Sequence, residues 1–165
     1  MPKVSVVVPC YNYAKYLGQC LESILGQQEF SDFEVIVIND ASTDGTGGVI
    51  DRVSDTRVVT LRHEKNQGHI RTLNEGFQKA RGQYLAHIGA DDFWHPEFLA
   101  STVPLLERYP QVGLVHTNGA LVDAQGKVTQ PRATNIPLTG DFKGNELPFL
   151  LRENYLFPHG VLFRR

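Results

Sequence analysis

Asp91 and Asp92 stand side by side after the apolar run Tyr84-Leu85-Ala86-His87-Ile88, and Pro96 follows shortly. The run reads as a short buried strand. Pro96, with a fixed φ and no N–H to satisfy, reads as the start of a helix. Two carboxylates about 4 Å apart repel by roughly 4 kcal/mol at an effective dielectric near 20. A divalent cation reverses that cost, because hard cations take oxygen ligands; a solvated acidic loop is the plainer alternative. Other chemistry-bearing residues also follow apolar runs: Asn12 after residues 4–9, and Asp40 with Ser42 and Asp44 after residues 33–38. An ionised carboxylate such as that of Asp40 only accepts hydrogen bonds, so it suits a ligand N–H. A turn or helix cap is its alternative role.

The elements between these residues must carry them to one place. Residues 4–9, nearly all apolar and β-branched, suit a central parallel strand ended by Pro9. Leu17, Cys20, Leu21, Ile24 and Leu25 recur at helical spacing before Gly26. A second strand at 33–38, a short helix near 47–53, and a third strand at 57–61 follow. Then come a helix bearing Ile70, Leu73, Phe77 and Ala80, the strand 84–88, and a helix from about 96 to 109 that Pro104 should kink or split. This β-α alternation predicts an α/β fold with a parallel sheet, right-handed crossovers and helices on both faces. In such a sheet the loops at the strand C-ends converge on one edge, where ligands bind. Beyond residue 111 the pattern changes to a strand at 112–117 and a hairpin over 121–129. A long loop to 142, a short helix near 144–152 and an apolar strand at 156–163 follow. An apolar strand left uncovered on one face would drive self-association.

Composition narrows the function. The chain has 165 residues, enough for one domain with a real core, with 41% hydrophobic and 21% charged residues. A net charge of −2 gives no reason to expect nucleic acid as partner. No apolar run approaches a transmembrane span, and no signal peptide precedes the first strand, so a cytoplasmic location is expected, with peripheral membrane association of a longer protein as the alternative. Cys10 and Cys20 form neither a zinc pattern nor a disulfide framework and are expected in the core. The glycine fingerprint of dinucleotide sites, the G-x-x-x-x-G-K-S/T phosphate loop and the G-x-S-x-G nucleophile are all absent.

Four segments in order carry a resemblance: 4–12 through Pro9-Cys10-Tyr11-Asn12, 37–46 through Asn39-Asp40-Ala41-Ser42-Thr43-Asp44-Gly45-Thr46, Asn66-Gln67-Gly68, and Gly89-Ala90-Asp91-Asp92 before Pro96. The chain resembles the family 2 glycosyltransferases, closely over about residues 3–118 and loosely beyond. The resemblance implies a GT-A fold in one domain. Its nucleotide-sugar-binding part would span about 1–118, and the start of its acceptor side 119–165. It also implies a UDP- or dTDP-sugar donor, a Mn²⁺ or Mg²⁺ ion, and inverting transfer to a hydroxyl acceptor. On it, Pro9, Tyr11, Asn12, Asp40, Asn66, Gly68, Arg71 and Asn74 form the nucleotide site, and Asp91 and Asp92 the metal site. Trp94 and His159 lie toward the acceptor.

Two positions depart from the family pattern. Leu73 stands where an Arg usually precedes the residue matching Asn74, with Arg71 two positions earlier, and Gly89 replaces the first acid of the metal motif. The general base implied by the resemblance is an acid placed after the strand at 156–163, and so expected beyond Arg165. Asp141, Glu146 and Glu153 do not match its position. The chain is therefore expected to be the donor-binding part of a longer enzyme. A nucleotide-sugar-binding module without turnover and a sugar-phosphate nucleotidyltransferase are the alternatives.

Overall fold

β1 (Val4–Cys10) and β2 (Phe33–Asn39) are buried along their whole length, because each has a packed layer on both faces. Alternate residues go to opposite layers, as the strand period of two requires. Val4, Val6, Val8, Phe33, Val35 and Val37 join Leu17, Ile24, Leu99 and Leu106 on one side. Val7, Ile36 and Ile38 meet Leu73 and Phe77 on the other. The computed structural model describes residues 1–133, 144 and 158–165. The chain runs β1, α1 (Ala14–Leu25), β2, α2 (Thr46–Asp51), β3 (Val58–Arg62), α3 (His69–Lys79), β4 (Tyr84–His87), α4 (Phe98–Arg108), β5 (Leu114–His116), β6 (Leu121–Val122), β7 (Val128–Gln130), β8 (Val161–Arg164). The main sheet has the order β3-β2-β1-β4-β8-β5, and β6 pairs with β7 as a separate hairpin. β1 to β4 are parallel; β8 enters antiparallel between β4 and β5. This is the expected α/β arrangement with a smaller antiparallel part.

Several local expectations change. Pro9 does not end β1 but pairs with Ile38 inside it. Val7 gives its carbonyl to Ile88 on the β4 side. Two residues on, Pro9 faces the same flank where the β4 ladder has already ended, so its missing N–H leaves no ladder bond unmade. α4 starts at Phe98 rather than Pro96, and it remains one helix through Pro104. Its start is held from α1's end: Gln27 Oε1 accepts the Leu99 N–H at 2.8 Å, and Gln27 Nε2 donates to the His95 carbonyl at 2.8 Å. That cap is 72 residues away in sequence, out of reach of a local reading. The last strand is shorter than expected, because Pro158–Gly160 forms a 3-10 turn before Val161. Within β8, Leu162 is fully buried and Phe163 packs edge-on against Phe77. Arg165 follows β8 and donates its N–H to the Gln83 carbonyl at 3.0 Å, beside the start of β4. The expected helix near 144–152, most of the loop to 142, Leu156, Phe157, Asp141, Glu146 and Glu153 lie outside the described residues. Cys10 and Cys20 are buried and free, and burial pushes the Cys10 thiol up to about 11.

The N-terminal edge of the sheet carries a structural polar cluster. Buried Glu34 accepts from Ser5 Oγ at 2.7 Å, from the Arg81 N–H at 2.9 Å and from Arg81 Nε at 2.9 Å. Burial pushes its pKa up, but the hydrogen bonds from Arg81 and Ser5 outweigh that and hold it below the ordinary value. A depressed folded pKa stabilises above the unfolded value and loses that stability as pH falls through the folded one. Glu34→Gln should therefore cost about 1–3 kcal/mol at pH 7, since its NH₂ would face the Arg81 guanidinium. The gap to wild type in urea titrations should close below about pH 4. A pH-independent gap would mean that packing rather than charge sets the cost.

Candidate functional site

The opposite edge gathers the loops that follow β1, β2, β3 and β4. Asn12, with φ of 60°, donates its N–H to Ser42 Oγ at 3.0 Å and accepts the Thr43 N–H on Oδ1 at 2.8 Å. Asp44 caps α1 by accepting the Ala14 N–H at 3.0 Å, and it accepts the Thr46 N–H at 2.9 Å. The loops after β1 and β2 thus form one hydrogen-bonded unit, with Tyr11 half exposed on it. Asn12, Ser42 and Asp44 each build this unit. Pro9 is buried beneath it.

Asp40 closes β2. Its N–H donates to the Cys10 carbonyl at 2.8 Å, and the residue is 3% exposed. Oδ1 accepts from the Gln67 N–H at 2.8 Å and lies 2.6 Å from His63 Nδ1; Oδ2 accepts the Gly68 N–H at 2.9 Å. A carboxylate has about four acceptor positions; besides these three donors, the buried Thr72 hydroxyl also interacts with Asp40. Burial pushes the Asp40 pKa up, but the bonds from His63, Gln67, Gly68 and Thr72 prevail and keep it below the ordinary value. His63 Nε2 lies 2.9 Å from Glu75 Oε2 on α3. His63 titrates above its ordinary value, first because of the Asp40 bond and, against desolvation, because of Glu75.

Gly68, with φ of 87°, turns the chain into α3, and Asn66 Oδ1 accepts its N–H at 3.0 Å. Arg71 and Asn74, three residues apart on α3, share an open groove with Gln67 and Gly68. Leu73 packs inward on the Val7, Ile36 and Ile38 cluster, whereas Arg71 is exposed. Arg71 therefore does not take the place of Leu73, but the structure does bring it to Asn74 and Gly68.

Asp91 and Asp92 follow β4. A Cβ on Gly89 would lie 2.8 Å from Asp91 Oδ1, 3.3 Å from Asp92 Oδ2 and 3.2 Å from His159 Cε1. The bare backbone of Gly89 thus leaves a cradle onto which both carboxylates point. Asp92 Oδ2 is paired with His159 Nδ1. Beside Asp91 lies the Tyr13 phenol, whose pKa that carboxylate raises. Trp94 is 6% exposed, stacks on Phe98 with centroids 4.3 Å apart, and donates Nε1–H to the His159 carbonyl at 2.6 Å. It is a buried brace that sets His159 against the acidic pair, not an exposed wall. His87 stacks edge-on against His159 and Phe77, and burial lowers its pKa to about 4. Among the described residues, no trio of Asp, Glu, His or Cys is arranged to hold an ion alone. Two carboxylates on one cradle nevertheless suit Mg²⁺ or Mn²⁺ as bound with phosphates, where water and phosphate oxygens complete the shell. Of the two, Asp91 would be the ligand and Asp92 its neighbour.

The end of the chain lies away from this site. β8 runs antiparallel to β4, with Ala86 opposite Leu162 and Tyr84 opposite Arg164. The strand therefore leaves His159 and the acidic pair and carries Arg165 to the other end of the sheet, beside Gln83.

The sequence model of Glycosyl transferase family 2 matches residues 5–164. The chain belongs to that family. An uncharacterized glycosyltransferase of Nostoc sp. is 32% identical over 137 residues, covering 82% of this chain and 42% of that protein. Glycosyltransferase GlyG of Streptococcus pneumoniae is 40% identical over 91 residues, 54% of this chain and 30% of that protein. The chain thus spans less than half the length of these two relatives. Among solved structures, S. aureus TarS 1-349 aligns with a TM-score of 0.70 at 22% identity, over 98% of this chain and 47% of that one, and shares the GT-A fold. The same enzyme in complex with UDP-GlcNAc aligns at 27% identity with a TM-score of 0.64, over 73% of this chain and 37% of that one.

In this family 2 glycosyltransferase fold, three residues at the site have roles that the sequence does not signal. His63 lies in a stretch with no spacing signal, since its partners are 23 and 12 residues away. Tyr13 reaches Asp91 only because α1 starts where the β2 loop caps it. Gly89 reads in the sequence as a lost acid, while its contribution is the cradle its missing Cβ leaves.

Proposed function

We propose that this chain is the donor-binding part of a metal-dependent inverting glycosyltransferase acting on a UDP- or dTDP-sugar. The observation that supports it most is the single sheet edge holding an ionised Asp40 and, after β4, the carboxylates facing Gly89. Asp40 Oδ2 would accept the N3–H of uracil or thymine. Tyr11 and Asn12 would line the base and ribose, and Asn66, Gly68, Arg71 and Asn74 would approach the ribose and phosphates. The ion at Asp91 and Asp92 would hold the diphosphate as the acceptor hydroxyl attacks the anomeric carbon in line. No described residue is assigned as the base that takes the hydroxyl proton. The UDP-GlcNAc complex of TarS supports the uridine reading, because that chain is 27% identical to this one. Residues 1–118 form the donor part and 119–165 begin the acceptor side, next to His159. Among the described residues, no helix is long and apolar enough to cross a membrane.

Base selectivity tests this reading. UDP and dTDP should bind at least about tenfold more tightly than CDP or ADP, whose corresponding ring nitrogens accept rather than donate. GDP should also bind more weakly than UDP, by size. Asp40→Asn should weaken UDP by about 1–3 kcal/mol and narrow its advantage over CDP. Equal affinities in calorimetry for all the nucleotides would overturn the role of Asp40.

A further inference from the structure

We propose that His63 is a positioning residue of the base site: as a doubly protonated imidazolium it holds Asp40 in place for the nucleotide, so uracil recognition depends on that proton. The proposal rests on the nucleotide reading of Asp40 above.

Both ring nitrogens face a carboxylate oxygen, Nδ1 at 2.6 Å from Asp40 and Nε2 at 2.9 Å from Glu75. A neutral imidazole has one N–H and would turn a lone pair toward one of them, so this geometry is that of the charged ring. The ring has little freedom: its side chain is 6% exposed, and the His63 N–H donates to the Asn39 carbonyl at 3.0 Å. Asp40 from the end of β2 and Glu75 from α3 are the charged groups facing it, while Arg62, Glu64 and Lys65 beside it in sequence are exposed. The trio carries a net charge of −1 with the proton and −2 without it. In the charged state Asp40 Oδ1 takes two donors and Oδ2 the Gly68 N–H, so the carboxylate is held in one orientation. Loss of the proton places a lone pair against Asp40 or Glu75. Either outcome loosens the tie between the end of β2, the turn at Gln67 and Gly68, and α3. The folding consequence has a definite sign. A raised histidine pKa stabilises fully below the unfolded value of about 6.5, and that stability is lost as pH rises through the folded value.

Linkage makes the test reciprocal: if the proton strengthens uracil binding, uracil must raise the proton affinity of His63 by the same factor. The measurement is the NMR titration of the His63 ring in the wild-type chain, free and saturated with UDP or CDP in Mg²⁺. CDP carries the same phosphates but no N3–H. UDP should move the His63 midpoint up by about half a pH unit or more, equivalent to about a threefold change in affinity, and CDP clearly less. His63→Gln should lower the UDP-over-CDP preference and flatten its pH dependence. A merely structural histidine would lower Tm in that variant but leave the preference unchanged. Equal shifts with UDP and CDP would assign the effect to phosphate charge and overturn the proposal, as would no shift with bound UDP. Failure of UDP to bind the wild type at any pH would instead refute the nucleotide reading, and this proposal with it.

Discussion

Asp91→Asn is expected to abolish the gain in UDP affinity that Mn²⁺ or Mg²⁺ provides, and to slow sugar transfer by the longer protein about 10²–10³-fold. Asp91 is exposed, so the substitution removes charge without opening the core. Its Oδ1 is the closest atom to the Gly89 cradle, which makes it the better-placed ligand of the pair. Asp92→Asn should cost less, because that carboxylate is already tied to His159. Gly89→Ala separates charge from geometry. Its Cβ would sit 2.8 Å from Asp91 Oδ1 and force that carboxylate aside, so metal-dependent affinity should fall with both charges retained. Calorimetry of UDP with and without Mn²⁺ reads the first effect, and donor consumption by the full-length protein the second. A UDP affinity that is independent of metal, and unchanged in Asp91→Asn, would remove the ion from the site.

The parts of this fold that are legible in the sequence are those set by local pattern. β-branched runs mark β1 and β2, a 3.6-residue period marks α1 and α3, and polar residues after each run mark the sheet edge that carries the site. What stays hidden depends on distant partners. Gln27 caps α4 across 72 residues, and Glu34, Arg81 and Ser5 meet from three separate segments. Trp94, whose ring suits a sugar wall by type, is turned inward by the carbonyl of His159, 65 residues away. Pro9 and Pro96 read as punctuation by residue type. In the fold, the end of the β4 ladder lets Pro9 stay within β1, and the turn at residues 95–97 delays α4 to Phe98. The antiparallel entry of β8 between β4 and β5 likewise has no local signature, and it is what carries Arg165 away from the site.

Gly82→Ala should be among the most damaging single-methyl changes in the chain. The added Cβ would lie 2.5 Å from the Ser5 nitrogen and 2.8 Å from the Val4 carbonyl carbon, both backbone atoms of the central strand. Backbone in a paired strand cannot swing aside, so relief requires moving the turn before β4 away from β1. That movement would also stretch the Gly82 N–H bond to Ser5 Oγ, now 2.8 Å, and the Arg81 N–H bond to Glu34, now 2.9 Å. A cost of about 2–4 kcal/mol is expected, or a drop in Tm of roughly 5–15 °C for a chain of this length. Gly76→Ala tests the same tightness on the α3 face, where the new Cβ would lie 2.3 Å from Val7 Cγ1 and 3.1 Å from Ile38 Cδ1. Side chains can yield where backbone cannot, so its cost should be smaller, about 1–3 kcal/mol. Gly18→Ala is the control. It lies inside α1 with nothing within 4 Å of the new Cβ, and alanine's higher helix propensity should stabilise the chain by about 0.5–1 kcal/mol. The three variants should therefore rank Gly18→Ala above wild type, then Gly76→Ala, then Gly82→Ala in thermal unfolding. A Gly82→Ala variant as stable as wild type would mean that the close approach of this turn to β1 is not maintained in solution.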